Sequence, residues 1–232
     1  MTSRADTEGL RNFYGRRHGK TLRPLQREYL AEDLGALVPA GIAIEGNPAR
    51  QVLDPVAIFG DARPVWLEVG FGGGEHLVHM ARLYPGVGII GCEPFVNGVA
   101  MLLGKIRAAG VANLAIYPGD VRDLFDVLPD GSVARAFLNY PDPWPKRRHH
   151  GRRFVNPGYL GALFRVMHPG AEFRVATDIA DYVRQTLLEV PRAGFVRADQ
   201  PVGQPWGDWP STRYEQKALR EGRVPHYLTF LR

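Results

Sequence analysis

The sequence predicts a doubly wound α/β fold, a mostly parallel sheet wrapped by helices, with a basic N-terminal arm in front of it. Three observations predict it. From Pro64 onward, short apolar strand-like runs alternate with helical patterns. The first run opens into Gly70-Phe71-Gly72-Gly73-Gly74, the tight strand-to-helix turn that glycine permits. The runs that follow end in, or lead into, the acids Glu93, Asp120, Asp142 and Asp178, and sheets of this kind bind ligands beyond the carboxyl ends of their strands.

Taken in order, residues 1–50 carry no core pattern and read as a basic, partly disordered arm, leaving 51–232 as the α/β domain. Arg4, Arg11, Arg16, Arg17, Lys20, Arg23 and Arg27 face only Asp6 and Glu8, with Phe13, Tyr14 and Tyr29 interleaved. Such a segment is of the kind that can order on a nucleic acid, and whether it does so is left open. A short helix is expected over 25–37. Strands are expected at 65–69, 87–92, 114–117, 133–139 and 172–177, with a final strand at 226–231. Helices are expected at 75–83, 97–109 and 159–167, the second from apolar spacing at Val99, Leu102, Leu103 and Ile106.

Composition bounds the rest. The chain has 232 residues, 45% apolar and 23% charged, with no long uncharged apolar run, so no transmembrane helix is expected. The start, MTSRADTEG, has no apolar leader, and Cys92 is the single cysteine. A cytoplasmic protein without disulfides is the expectation. No Cys/His spacing predicts a metal site. A net charge of +5 and a pI near 9.5 favour a polyanionic partner. Whether the chain is a monomer or a homodimer is left open.

In the glycine loop, Glu75 stands where a dinucleotide fingerprint has its third glycine, which argues against NAD or FAD. Glu93 ends the next strand, where a carboxylate can accept both ribose hydroxyls. Asp120 ends the third strand, within reach of an adenine amine, and Glu68 lies inside the first strand near the loop. A glycine loop ringed by acids fits S-adenosyl-L-methionine, whose sulfonium and ammonium are cationic.

The stretch 137–154, FLNYPDPWPKRRHHGRRF, breaks at Pro141, Pro143 and Pro145 around Asp142 and Trp144, then runs into Lys146, Arg147, Arg148, Arg152 and Arg153. Proline fixes φ and removes a donor, so Asp142 is expected to be held stiffly at a strand mouth. A rigid acid beside a ring suits gripping a base while a cationic loop, Arg147, Arg148, Arg152 and Arg153, holds phosphates. Trp144 reads equally as a stacking platform or a core ring. His149 and His150 read as solvated loop residues.

These motifs together resemble the bacterial tRNA (guanine-N7)-methyltransferases. The resemblance runs from about Phe13 to the C-terminus. It is carried by Arg16-Arg17-His18-Gly19, Leu67-Glu68-Val69-Gly70-Phe71-Gly72, Gly91-Cys92-Glu93, Pro141-Asp142-Pro143-Trp144-Pro145-Lys146, Thr177-Asp178 and Thr212-Arg213-Tyr214-Glu215. It implies a Rossmann-like, class I S-adenosylmethionine-dependent methyltransferase that methylates a guanosine in the tRNA variable loop. By the same resemblance the catalytic aspartate falls on Asp142. Cofactor contacts fall on Glu68, Gly70, Gly72, Glu93, Asp120 and Asp142, and substrate contacts on Lys146, Asp178, Thr212, Arg213, Tyr214 and Glu215. Two other readings stay open from the residues alone: a base methyltransferase acting on an exocyclic amine, and a non-catalytic RNA-binding protein that keeps the fold.

Overall fold

The computed structural model describes residues 13–201 and 203–232. Arg4, Asp6, Glu8 and Arg11, part of the basic arm read from the sequence, lie outside the described residues.

Seven strands form one sheet in the order β3-β2-β1-β4-β5-β7-β6. They are β1 (Val65–Val69), β2 (Gly88–Cys92), β3 (Leu114–Tyr117), β4 (Val133–Asn139), β5 (Met167–Thr177), β6 (Val196–Arg197) and β7 (His226–Leu231). The first five pair in parallel, while β7 runs antiparallel to β5 and β6. The chain order reverses between β1 and β4, and the crevice at such a reversal is where ligands enter.

Helices cover both faces. They are α1 (Pro24–Glu32), α2 (Leu34–Leu37), α3 (Pro55–Phe59), α4 (Glu75–Leu83), α5 (Val96–Ala109), α6 (Val121–Val127), α7 (Pro157–Val166), α8 (Ala180–Arg192) and α9 (Arg213–Arg220). Alternation along β1 separates two cores. Val65, Leu67 and Val69 pack with Leu124 of α6, Leu163 of α7 and Tyr182 of α8. Trp66 turns to the other face, with Leu77 of α4 and Leu102 of α5. Both faces are thus dry, as a parallel sheet requires.

Four of these helices have no counterpart in the sequence reading: α3, α6, α8 and α9. Their signals are local. Asp120 caps α6, accepting from the Arg122 N–H at 2.9 Å, and Asp54 caps α3 in the same way. Tyr182, Thr186 and Val190, the buried residues of α8, recur every fourth position.

Residue 50 does not mark a break in packing. Helix α1 lies on α5, where the Arg107 guanidinium pairs with Asp33 at 2.6 Å and Glu32 at 2.8 Å and covers the Tyr29 ring. Ile42 is fully buried in the same core as β1, and the Arg50 guanidinium donates to the Ile42 carbonyl at 2.8 Å. The described part of the arm is therefore built on the domain. Ile42→Ala is expected to cost about 2–5 kcal/mol, the range for deleting a buried aliphatic chain, in a single cooperative denaturant transition. A loss below about 0.5 kcal/mol, the scale of a surface change, would show that this segment stands apart from the core.

Candidate active site

A cavity of about 710 Å³ opens beyond the carboxyl ends of β1 to β4. Gly70, Gly72, Glu93, Asp120, Asp142 and Arg152 are among the residues that line it. Gly70 has φ +71° and Gly72 φ +56°, the left-handed region that glycine enters without strain. A Cβ built on Gly70 meets nothing within 4 Å, so the loop turns bare backbone toward the cavity.

Glu93 ties that loop to β2. Its Oε2 accepts the Gly72 N–H at 2.8 Å and its Oε1 the Phe95 N–H at 2.9 Å. Burial pushes its carboxyl up to about 6, against the pull of the two N–H groups and with help from the charges of Asp142 and Glu68. Asp120 lines the next strand end, its oxygens shared between the cap of α6 and an ion pair with Arg122 at 2.6 Å. Glu68 lies elsewhere. It is 2% exposed and paired with the His76 Nδ1 at 2.8 Å. It borders a small pocket under the glycine loop rather than the large cavity.

The mouth is built from the end of β4. Tyr140 and Trp144 have φ of +48° and +39°, costly for non-glycine residues and found where surrounding structure over-determines them. The Tyr140 N–H donates to the Ala176 carbonyl at 2.7 Å, carrying the ladder with β5 one step past the strand. Asp142 stands on the rim. The protein crowding it raises its pKa above the usual carboxylate range, while Arg16 pulls the other way. Trp144 is half-buried in the cavity wall. The Arg152 guanidinium lies 5.1 Å from its ring and 4.6 Å from the Tyr14 ring.

Lys146, Arg147 and Arg148 are exposed beside this mouth, in and before a 3₁₀ segment at Arg147–Arg152. Arg153 does not join them. It is 1% exposed, and a side chain so enclosed cannot meet RNA. The expectation that it belongs to the phosphate-holding loop is corrected on that ground.

The C-terminal segment divides the same way. Thr212 caps α9, and Arg213 reaches Glu75 at 3.8 Å. Tyr214 is half-exposed and covers the glycine loop, 3.0 Å from where a Gly72 Cβ would lie; of these substrate candidates it alone lines the cavity. Glu215 is 5% exposed and accepts from the Trp209 indole N–H at 3.1 Å and from the Tyr227 hydroxyl. Asp178 is paired with Arg223 at 2.5 Å. The sequence reading gave no site role to Phe13, Tyr14, Arg16 or Asn139, which line the cavity. The aromatic and basic residues interleaved in the arm were the available signal. Among the described residues no group of three or more His, Cys, Asp or Glu could hold a metal ion.

Removing Glu215 takes the acceptor from the buried Tyr227 hydroxyl and the partly buried Trp209 indole N–H. Glu215→Ala is expected to destabilise the protein by about 2–4 kcal/mol, from the desolvation cost of each unpaired group, as read by denaturant melts. An unchanged melt would place Glu215 at a solvated surface instead.

The family described as "Putative methyltransferase" matches residues 62–228 of the chain. A tRNA (guanine-N(7)-)-methyltransferase of Paracoccus denitrificans is 73% identical over 223 residues, covering 96% of this chain and 95% of the relative. One from Cereibacter sphaeroides is 72% identical over 228 residues, covering 98% and 94%. Among solved structures, the 16S rRNA methyltransferase KamB superposes with a TM-score of 0.58 at 20% identity, over 78% of this chain and 94% of that one. That likeness is one of fold, and the fold is the class I S-adenosylmethionine-dependent methyltransferase sheet that the sequence predicts. The chain belongs to the tRNA (guanine-N7)-methyltransferase family.

Proposed function

We propose that this enzyme transfers a methyl group from S-adenosyl-L-methionine to N7 of a guanosine in the tRNA variable loop, forming 7-methylguanosine, with Asp142 as its catalytic residue. The observation that carries the reading is that Asp142, Glu93 and Asp120 share one cavity whose rim is cationic.

The residues present fit the cofactor. The bare backbone at Gly70 leaves room for it. Glu93 has each oxygen fixed by one backbone N–H, and a carboxylate oxygen accepts two hydrogen bonds, so one position on each stays free for a ribose hydroxyl. Asp120 lies at the neighbouring strand end for the adenine amine. When bound, the cofactor supplies an electrophilic methyl on a sulfonium.

Guanine N7 carries a lone pair and no proton, so the chain needs no general base. It must align and compensate charge. Alignment alone supplies about 7–11 kcal/mol in favourable cases. Asp142, fixed by its flanking prolines, accepts from guanine N1–H and the exocyclic amine, which selects against adenine. Its negative charge opposes the positive charge arriving on the ring. Trp144 and Tyr214 bound the space for the base, while Lys146, Arg147, Arg148 and Arg152 hold phosphates around it. Thr212, Arg213 and Glu215 act behind Tyr214, setting the segment that carries it. Asp178 is reserved by Arg223 and would serve the substrate only after that pair opens. Among the described residues no helix is long and apolar enough to cross a membrane, and the reading places the enzyme with tRNA in the cytoplasm.

Asp142→Asn is expected to lower the single-turnover rate on unmodified tRNA by at least roughly a hundredfold, the size typical of removing one preorganised group. Binding of either substrate should fall less. A folded variant methylating N7 at near wild-type rate would sink this role.

Glu93 gives a pH test. Its carboxyl titrates near 6 in the folded protein against 4.5 ordinarily. The native state therefore holds that proton more tightly than the unfolded chain, and the group's contribution to stability falls as pH rises through that window. Two ribose hydroxyls need the ionised form. The cofactor dissociation constant should accordingly rise as pH drops through about 6, and Glu93→Gln should weaken binding and flatten the profile. An inflection that survives in the Gln variant would assign the titration to another group.

A further inference from the structure

We propose that Arg153 is a positioning residue that fixes the 141–144 loop, and Asp142 with it, from inside the protein. The inference rests on the role given to Asp142 above. It begins with what the loop lacks. Pro141, Pro143 and Pro145 have no N–H, so this segment carries carbonyls but few donors with which to hold its own shape. Trp144 nevertheless sits at φ +39°, a conformation that surrounding contacts must impose.

Arg153 supplies the missing donors. Its Nε donates to the Pro143 carbonyl at 2.8 Å, and its Nη2 reaches the Trp144 carbonyl at 3.5 Å. The rest of the fork is spent on α8. Nη1 donates to the Gln185 Oε1 at 2.8 Å, Nη2 pairs with Asp181 at 2.9 Å, and the guanidinium lies 5.1 Å over the Tyr182 ring. Asp181 is itself held by Arg184 at 2.9 Å, with the His150 Nε2 3.3 Å away, and Gln185 donates onward to the Val155 carbonyl at 2.6 Å. The Arg153 side chain is 0% exposed. One planar cation thus bridges the first turns of α8 to the two peptide groups that follow Asp142. Lysine keeps the charge but has no rigid fork able to face both sides at once.

The test compares wild type, Arg153→Lys and Arg153→Met as full-length chains. The three readouts are single-turnover methylation of unmodified tRNA, the salt dependence of tRNA binding, and the ¹⁹F resonance of Trp144 in 5-fluorotryptophan-labelled protein, assigned with Trp144→Phe. We expect both variants to lose about a hundredfold in rate, the scale of a misplacement near 1 Å. Their salt slope should match wild type, and the Trp144 resonance should shift or broaden while those of Trp66, Trp206 and Trp209 hold. A folded Lys variant with wild-type rate and an unmoved Trp144 resonance would overturn the proposal as a merely structural role. A shallower salt slope would overturn it in favour of direct phosphate contact. If wild type transfers no methyl to tRNA yet the resonance moves in the variants, the functional reading fails and the positioning of the loop stands.

Discussion

The site hangs on one short tie, the backbone N–H of Gly72 donating to the Glu93 carboxylate at 2.8 Å. It joins the glycine loop after β1 to the end of β2, and so fixes that loop on the β2 side of the cavity. The tie tolerates little change around it. A Cβ on Gly98 would stand 2.3 Å from the Gly72 carbonyl, so the start of α5 presses closely against the loop. Lys105 of α5 grips the same loop, donating to the Gly73 carbonyl at 2.6 Å and pairing with Glu75 at 3.0 Å. The carboxylate thus has a structural duty in the free protein, and its raised affinity for a proton is the cost of doing it in a buried place.

Across the cavity the problem is opposite. The glycine loop is held by its own N–H groups, whereas the proline-rich mouth after β4 has few to give. Its stiffness comes from fixed φ angles and from outside donors, and Asp142 on the rim inherits that stiffness. Segments distant in sequence close the two sides: residues 13–16 and Tyr214 both line the cavity, bringing near-terminal parts of the chain to one mouth. The cations are sorted by depth. Arg153 works inside, Arg152 lies against Tyr14 and Trp144, and Lys146, Arg147 and Arg148 face solvent.

Much of this was legible in the sequence. The bounds of β1, α4, β3, β4 and β7 fall where apolar runs meet glycine, proline or an acid, since those residues end elements for local reasons. The acids at the ends of β2 and β3 were legible on the same ground. What stayed hidden depends on contacts between distant residues. Glu68 and Glu93 both read as acids near a glycine loop, and only the fold shows one paired with His76 and the other lining the cavity. Glu215 reads as a polar residue in a polar segment, yet its partners Trp209 and Tyr227 lie on either side of it in the chain and enclose it. Arg152 and Arg153 are neighbours in one charge run. The first ends the 3₁₀ segment and the second continues in extended backbone; both border the cavity, but the Arg153 side chain is fully enclosed. The arm misled for a related reason: its charge density is high, yet Ile42 is buried in one core and Tyr29, Leu30, Leu34 and Leu37 pack against the other.

The most direct test of the central claim is the identity of the product. Unmodified tRNA incubated with this protein and methyl-labelled S-adenosyl-L-methionine should, after digestion to nucleosides and chromatography, carry its label as 7-methylguanosine. Label in an N2- or N6-methylated nucleoside, or none in any nucleoside despite measurable cofactor binding, would contradict the account.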